Sequence, residues 1–413
     1  MGERGKPVRL YSYLNFKVII VLSAMKNIDR KSIQSQLIVG VLLLFSTLAA
    51  SCGLGDASLV ETTPTPISIE TVVEPIDTDQ ENSPVESAPA TCRDEELLCV
   101  GLVSDVGGID DKAFNQAAWD GVKQAQRDLA AQVDFKVSAD PSEYYPLIRG
   151  YAEEEYDVIV TVGFSMASAT NILATEYPDV DFIGVDQVQS LPLDNVAGLV
   201  FSEKKAGFLA GALAALASKS GKIGAVLGPD IVPPIVAFKE GYEVGAYAIN
   251  QDIEVTAVFH PGSLVVAFND PEWAGQTAMD MIDSGVDVVF GAGGPTGNGA
   301  LVAVAENSDA ICIGVDTDQW FTVPDAQPCL ITSAVKEIAD GVFELIAWSL
   351  LDEFPNGDYA GDVALAPFHE FDESVPADAQ AFLSDLKDDL LNGVVPTDGS
   401  YVFSSTPKIN VER

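Results

Sequence analysis

The stretch Gly107-Gly108-Ile109-Asp110-Asp111-Lys112-Ala113-Phe114-Asn115 joins an acid pair, a glycine pair, an aromatic ring and a carboxamide within nine residues. It directly follows the apolar run Cys99–Val103, which reads as a buried parallel strand, and it opens a helical pattern ending near Leu129. Ligands in open α/β sheets bind just beyond the carboxyl ends of strands, so these groups suit gripping a small polar solute with a flat ring. A second glycine run at 291–299 lets backbone N–H groups and a helix N-terminus come close to a hydroxyl or phosphate. It lacks the third glycine of a dinucleotide fingerprint, and no Walker A pattern occurs. Two patterns bear on turnover. Ser333-x-x-Lys336 matches an acylating motif whose Ser-Asp-Asn and Lys-Thr-Gly partners are missing. Gly163-Phe164-Ser165-Met166-Ala167 falls one residue short of a nucleophile elbow, with His369 far downstream. A hydrolase is therefore the weakest reading, and no cofactor is implied.

These residues need a scaffold, and the chain supplies a regular one. Predicted strands fall at 99–104, 133–138, 157–162, 181–185, 196–201, 222–227, 253–259, 286–291, 311–315 and 329–333. Amphipathic runs long enough for helices separate most of them, which is the signature of βαβ units and parallel sheets. So many strands exceed one sheet. The expected fold class is α/β, with two Rossmann-like lobes joined by a hinge. The first lobe takes 92–202 plus about 331–365, and the second takes 203–330 plus a C-terminal segment at about 366–413. The crossings are expected near 201–203 and near 330. Helices at 335–352 and about 376–392 finish the chain.

Residues 1–52 read as addressing. Leu37–Ala50 has the length of a signal h-region rather than a membrane span, and it ends in Leu48-Ala49-Ala50-Ser51-Cys52. That ending resembles a bacterial lipobox, with Cys52 as the lipidated residue; an uncleaved anchor helix is the alternative. Met25 is a more ordinary start for such a signal than Met1. Residues 53–91 are rich in Thr, Pro, Glu and Ser and read as a disordered tether of roughly 35 Å r.m.s. span. The expected location is therefore extracytoplasmic. Of the five cysteines, Cys92 with Cys99 and Cys312 with Cys329 are close in sequence, and an exported compartment permits disulfides. Free buried thiols are the alternative. A metal site is disfavoured by the lack of any Cys-x-x-Cys and by only two histidines, His260 and His369. The formal charge is −40, and −45 without the first 52 residues, which hold seven basic and two acidic residues. Such a surface repels nucleic-acid polymers and anionic headgroups.

The 107–115 stretch is similar to the opening motif of the basic-membrane-protein family, purine-nucleoside-binding lipoproteins of ABC importers. Further stretches resemble that family in order: Ile183-Gly184-Val185-Asp186, Phe208-Leu209-Ala210-Gly211, Phe268-Asn269-Asp270-Pro271, Gly291–Gly297, Gly314–Gln319 and Leu330–Lys336. The resemblance covers roughly residues 98–350. It implies a type I periplasmic-binding-protein fold that closes on a nucleoside and hands it to a permease, as a monomer held at the membrane by its lipid. A tethered sensor feeding a membrane receptor is the alternative use of the same clam.

On that reading, Phe114 and Phe268 stack on the two faces of a base, and Asn115 meets its edge. Asp316 accepts from ribose hydroxyls. Lys336, at the start of the last long helix, donates to ribose oxygens and balances Asp316. Asp105 and Asp186 take base or hydroxyl donors, and Gly293 brings backbone close. The residues between Gly262 and Phe268 exceed the usual family spacing, which makes Phe259 the fallback ring and Trp320 a further wall. Replacing Asp316 or Lys336 by Ala is expected to abolish binding while sparing the melting temperature.

Overall fold

The computed structural model describes residue 92, residues 97–189 and residues 193–411. The expected leader, Cys52 and the expected 53–91 tether lie outside the described residues. Strands β1 (Cys99–Ser104), β2 (Gln132–Val137), β3 (Val158–Val162), β4 (Asp181–Val185) and β5 (Val196–Val200) form the first sheet. Strands β6 (Lys222–Leu227), β7 (Glu254–Phe259), β8 (Val288–Ala292), β9 (Ile311–Asp316) and β10 (Leu330–Lys336) form the second. β11 (Gly357–Ala360) then joins the first sheet and β12 (Val363–Leu365) the second. The orders are β2-β1-β3-β4-β5-β11 and β7-β6-β8-β9-β10-β12, one doubly wound pattern used twice. Pairing is parallel except between β10 and β12.

The sequence dictates which strands are central. β1, β3, β8, β9 and β10 are predominantly apolar, with polar residues mainly at their carboxyl ends and in β10, and are buried along their whole length, as strands covered on both faces must be. β2 and β7 alternate and lie at the edges. Val100 pairs with Val133 on one side and Val158 on the other, fixing the register at the heart of the first sheet.

The helices are α1 (Phe114–Leu129), α2 (Tyr144–Glu153), α3 (Ala167–Glu176), α4 (Glu203–Ala217), α5 (Pro233–Ile249) and the single turn α6 (Leu264–Ala267). They continue with α7 (Pro271–Asp283), α8 (Gly294–Asn307), the turn α9 (Gln319–Thr322), α10 (Ile338–Leu350) and α11 (Ala377–Leu391). Among the described residues, no helix is long and apolar enough to cross a membrane. Cys92 is bonded to Cys99 at the start of β1, and Cys312 of β9 to Cys329 just before β10.

The chain crosses between the sheets after β5, after β10 and between β11 and β12. The second crossing therefore lies at 336–338 rather than near 330. Ser333 pairs with Gly314 and Val335 with Asp316, so β10 belongs to the second sheet for its full length. The apolar pair Ala334-Val335 carries the strand past its expected end. β12, within the 331–365 segment expected in the first lobe, instead pairs with β10 through Ala334–Leu365 and Lys336–Val363. α10 returns to the first lobe and packs on α1 and β4. α11 covers the second lobe, burying Ala379 and Leu383 in its core.

Candidate functional site

Both sheets point their carboxyl ends at one cleft. Asp105 follows β1, Gly163 follows β3 and Asp186 follows β4; opposite them, Gly293 follows β8, while Asp316 and Lys336 end β9 and β10. In each lobe the strand order reverses between the first strand and the third, which opens a crevice there. Gly163 and Gly293 sit at these two points with φ of +107° and +137°. A Cβ on Gly163 would lie 2.7 Å from Asp105 Oδ2, and one on Gly293 would lie 2.7 Å from the Gly228 amide nitrogen. Side chains are excluded there, so the backbone itself forms the floor. The space between these walls, part of it open to solvent, amounts to about 650 Å³.

The first lobe contributes a fixed acid and a helix start. Asp105 accepts from the Tyr144 hydroxyl, from Ser165 Oγ at 2.9 Å and from the Val106 amide at 2.7 Å. Burial pushes its pKa up, and these three donors pull it back. Asp111 caps α1: its carboxylate accepts from the amides of Ala113, Asn115 and Gln116 at 2.9–3.0 Å. It also accepts from Asn115 Nδ2 at 3.2 Å. The cap fixes where Phe114 and Asn115 point, and it leaves Asn115 Oδ1 buried with no partner.

The two lobes meet at a buried charge cluster. Lys336 Nζ donates to Asp186 Oδ1 and Oδ2 at 2.7 and 2.6 Å and lies 2.9 Å from Glu203 Oε1. Its ammonium sits 4.9 Å from the ring centroids of both Phe114 and Phe201. Burial works against its charge, but Asp186, Glu203 and Asp316 together hold the lysine above its ordinary value. Burial raises the Asp186 pKa while Lys336 pulls it down. Asp316 is different: its carboxylate accepts no hydrogen bond from any described residue. Burial pushes it up to about 7, against the pull of Lys336. Asp186 and Asp316 both occupy left-handed backbone, with φ of +59° and +64°, which turns each chain sharply at its strand end.

Asp105, Phe114, Asn115, Asp186, Phe268, Gly293, Asp316 and Lys336 all line this one cleft. The additional residues 264–267 wind into α6 and Phe268 lines the cleft, whereas neither Phe259, the fallback ring, nor Trp320, the further wall, does. Phe259 stays in the edge strand β7, and Trp320 stacks on His369 with centroids 4.8 Å apart. One expectation changes and another is extended. Lys336 ends a strand instead of starting a helix, and besides balancing Asp316 it bonds Asp186 and Glu203 directly. Sequence reasoning missed Phe164, Ile235 and Phe238, which add apolar wall. Their helical and loop patterns give no sign of whether they face core or cleft. The two catalytic patterns separate in space. Ser333 and Lys336 lie three apart on a strand and so point to opposite faces, while Ser165 donates to Asp105 with no histidine beside it.

Two doubly wound lobes with all their strand ends on one solute-sized cleft define a type I periplasmic-binding-protein fold. The chain belongs to the family described as ABC transporter substrate-binding protein PnrA-like, whose model matches residues 99–360. A CD4+ T-cell-stimulating antigen of Listeria monocytogenes is 29% identical over 315 residues, covering 71% of this chain and 86% of that protein. Basic membrane protein A of Borreliella burgdorferi is 33% identical over 248 residues, 59% of this chain and 69% of that one. Among solved structures, an ABC-transporter solute-binding protein from Aeropyrum pernix is similar with a TM-score of 0.65 and 26% identity. That likeness covers 72% of this chain and 92% of the other. A small-molecule solute, a transporter and an extracytoplasmic location come with the family.

Proposed function

We propose that this protein captures a purine nucleoside, or a similar ring-plus-sugar solute, and delivers it to the permease of an ABC importer while a lipid on Cys52 holds it at the membrane. The observation that carries this reading is the combination, on one cleft, of two rings, Phe114 and Phe268, with the Asp316 carboxylate and the unpartnered Asn115 Oδ1. A base between the rings buries both flat faces, and stacking contributes about 1–3 kcal/mol per base. Asn115 Oδ1 takes an N–H from the base edge. The ribose hydroxyls donate to Asp316, since an ionised carboxylate only accepts. Four aspartates against one lysine line the cleft, which disfavours a phosphate and favours the neutral nucleoside.

Titration calorimetry with inosine, guanosine, adenosine, 2′-deoxyinosine, D-ribose and inosine monophosphate tests this. A nucleoside is expected to bind, with D-ribose roughly 10- to 100-fold weaker for lack of stacking. 2′-Deoxyinosine is expected to lose up to roughly 10⁴-fold, because it leaves a buried acceptor unpaired. D-Ribose binding as tightly as inosine, or no nucleoside binding at all, ends the reading.

A further inference from the structure

Beside the cleft the lobes are also joined by hydrogen bonds made wholly of protein atoms. Asn298 Nδ2, on α8 of the second lobe, donates to the Asp111 carbonyl of the first at 2.8 Å. Thr322 Oγ1 donates to the Lys112 carbonyl at 2.7 Å, and Gln319 Nε2 donates to the same oxygen at 3.2 Å. Gln319 Nε2 also donates to Asn298 Oδ1 at 2.7 Å, which ties these two side chains together while Thr322 shares the Lys112 carbonyl with Gln319. Gln319 is fully buried and held at both ends. Its Oε1 accepts from the Val315 amide at 2.9 Å, and its own amide donates to Ser333 Oγ at 3.1 Å. Gly314 makes room for it, since a Cβ there would lie 2.5 Å from Gln319 Oε1. On the other side, Lys112 adopts φ of +64° in the loop that precedes α1.

We propose that Asn298, Gln319 and Thr322 form a latch that holds the lobes shut, and that they are positioning residues for solute capture. The proposal rests on the solute-binding reading of the cleft. All three grip main-chain oxygens of residues 111 and 112, the loop whose Asp111 carboxylate caps α1 and aims Phe114 and Asn115. A grip on backbone is indifferent to what the cleft holds. The latch therefore slows release of every solute equally, and selection is left to the cleft. Parting the lobes hands these groups to water, so each bond contributes a modest net share of closure.

The test uses full-length Asn298→Ala and Thr322→Val, which leave the buried Gln319 in place. Amide hydrogen exchange is measured first with no solute present. Residues 107–116 and 317–322 are expected to exchange roughly three- to tenfold faster in each variant, as one lost hydrogen bond allows, with β1, β3 and β9 unchanged. Stopped-flow measurement with inosine is expected to show release faster by the same roughly three- to tenfold factor and association unaltered. Thr322→Ser restores the slow release. Unaltered exchange in those two segments overturns the latch, and so does exchange accelerated equally through both sheets, which marks general destabilisation. Should inosine fail to bind the parent protein, the nucleoside reading falls while the exchange measurement still decides the latch.

Discussion

Lys336 and Asp186 meet from opposite lobes: an ammonium at the end of β10 donates to both oxygens of a carboxylate that follows β4. Neither side chain reaches bulk water, with side-chain exposures of 1% and 6%. Burying such a pair is costly, but removing one partner is worse, because the other charges stay behind without compensation. Here Asp186, Glu203 and Asp316 would all lose their cation. Lys336 is therefore a folding residue as well as a candidate ligand contact, which reverses the expectation that its loss spares stability. Lys336→Met is expected to lower the unfolding free energy by about 3–5 kcal/mol near pH 7.5. Urea unfolding measures it, and a loss under about 1 kcal/mol would show that the cluster relaxes or neutralises instead.

Asp316 contributes a pH dependence, alongside Asp186, whose pKa burial also raises. The folded Asp316 pKa of about 7 lies above the ordinary carboxylate value, chiefly through burial. The native state thus holds this proton more tightly than the unfolded chain does. The stability it contributes is whole below about pH 4 and is lost as pH rises through about 7. The empty protein should accordingly unfold at higher urea at pH 5 than at pH 8 through this group, and Asp316→Asn should flatten that difference. A nucleoside donating hydroxyls to the ionised form pulls the other way, so its affinity falls as pH drops below about 7. Identical pH slopes for parent and variant would remove Asp316 from both arguments.

The fold was legible because central parallel strands are predominantly apolar runs. β4 and β6 occupy the expected residues, Asp181–Val185 and Lys222–Leu227, and the other expected strands lie within a few residues of their places. β11 and β12 were not legible. Gly357–Ala360 is a half-exposed edge without an apolar run, and only pairing with β5 makes it a strand. Lys336 misled for a related reason: a lysine reads as lying beyond a buried strand until distant carboxylates compensate its charge. In the cleft, aspartates and glycines at strand ends were readable from position alone. Ile235 and Phe238 were not, because an apolar residue on a helix looks the same whether it faces a core or a ligand.

The rings give a direct test of how the solute is held. Phe268 also packs on Gly228, where a Cβ would lie 2.9 Å from its ring, and on the second-lobe core. Phe114 sits at the first turn of α1 beside the Lys336 ammonium. Phe114→Leu and Phe268→Leu should each weaken inosine binding by about 1–3 kcal/mol and change D-ribose binding much less. Calorimetry with both ligands separates the outcomes. An equal loss for inosine and ribose would mean that the rings shape the cleft without stacking.

The cleft wall depends on how closely two helices of the second lobe approach. A Cβ on Gly211 of α4 would lie 1.9 Å from the Tyr242 carbonyl of α5, and one on Gly245 of α5 would lie 2.1 Å from the Phe208 carbonyl of α4. The backbones touch with no side chain between them. α4 brings Glu203 to Lys336, and α5 brings Ile235 and Phe238 to the cleft, so pushing the helices apart disturbs both. In an exposed helix, Gly→Ala would gain up to about 1 kcal/mol of helix propensity. Here overpacking outweighs that gain, and Gly211→Ala should lose about 1–3 kcal/mol net. Inosine affinity should fall with it, because Ile235 and Phe238 move with α5. Urea unfolding and calorimetry on the same preparation check both halves. A midpoint that stays put would mean that α4 and α5 slide apart freely, and that the wall they form is not rigid.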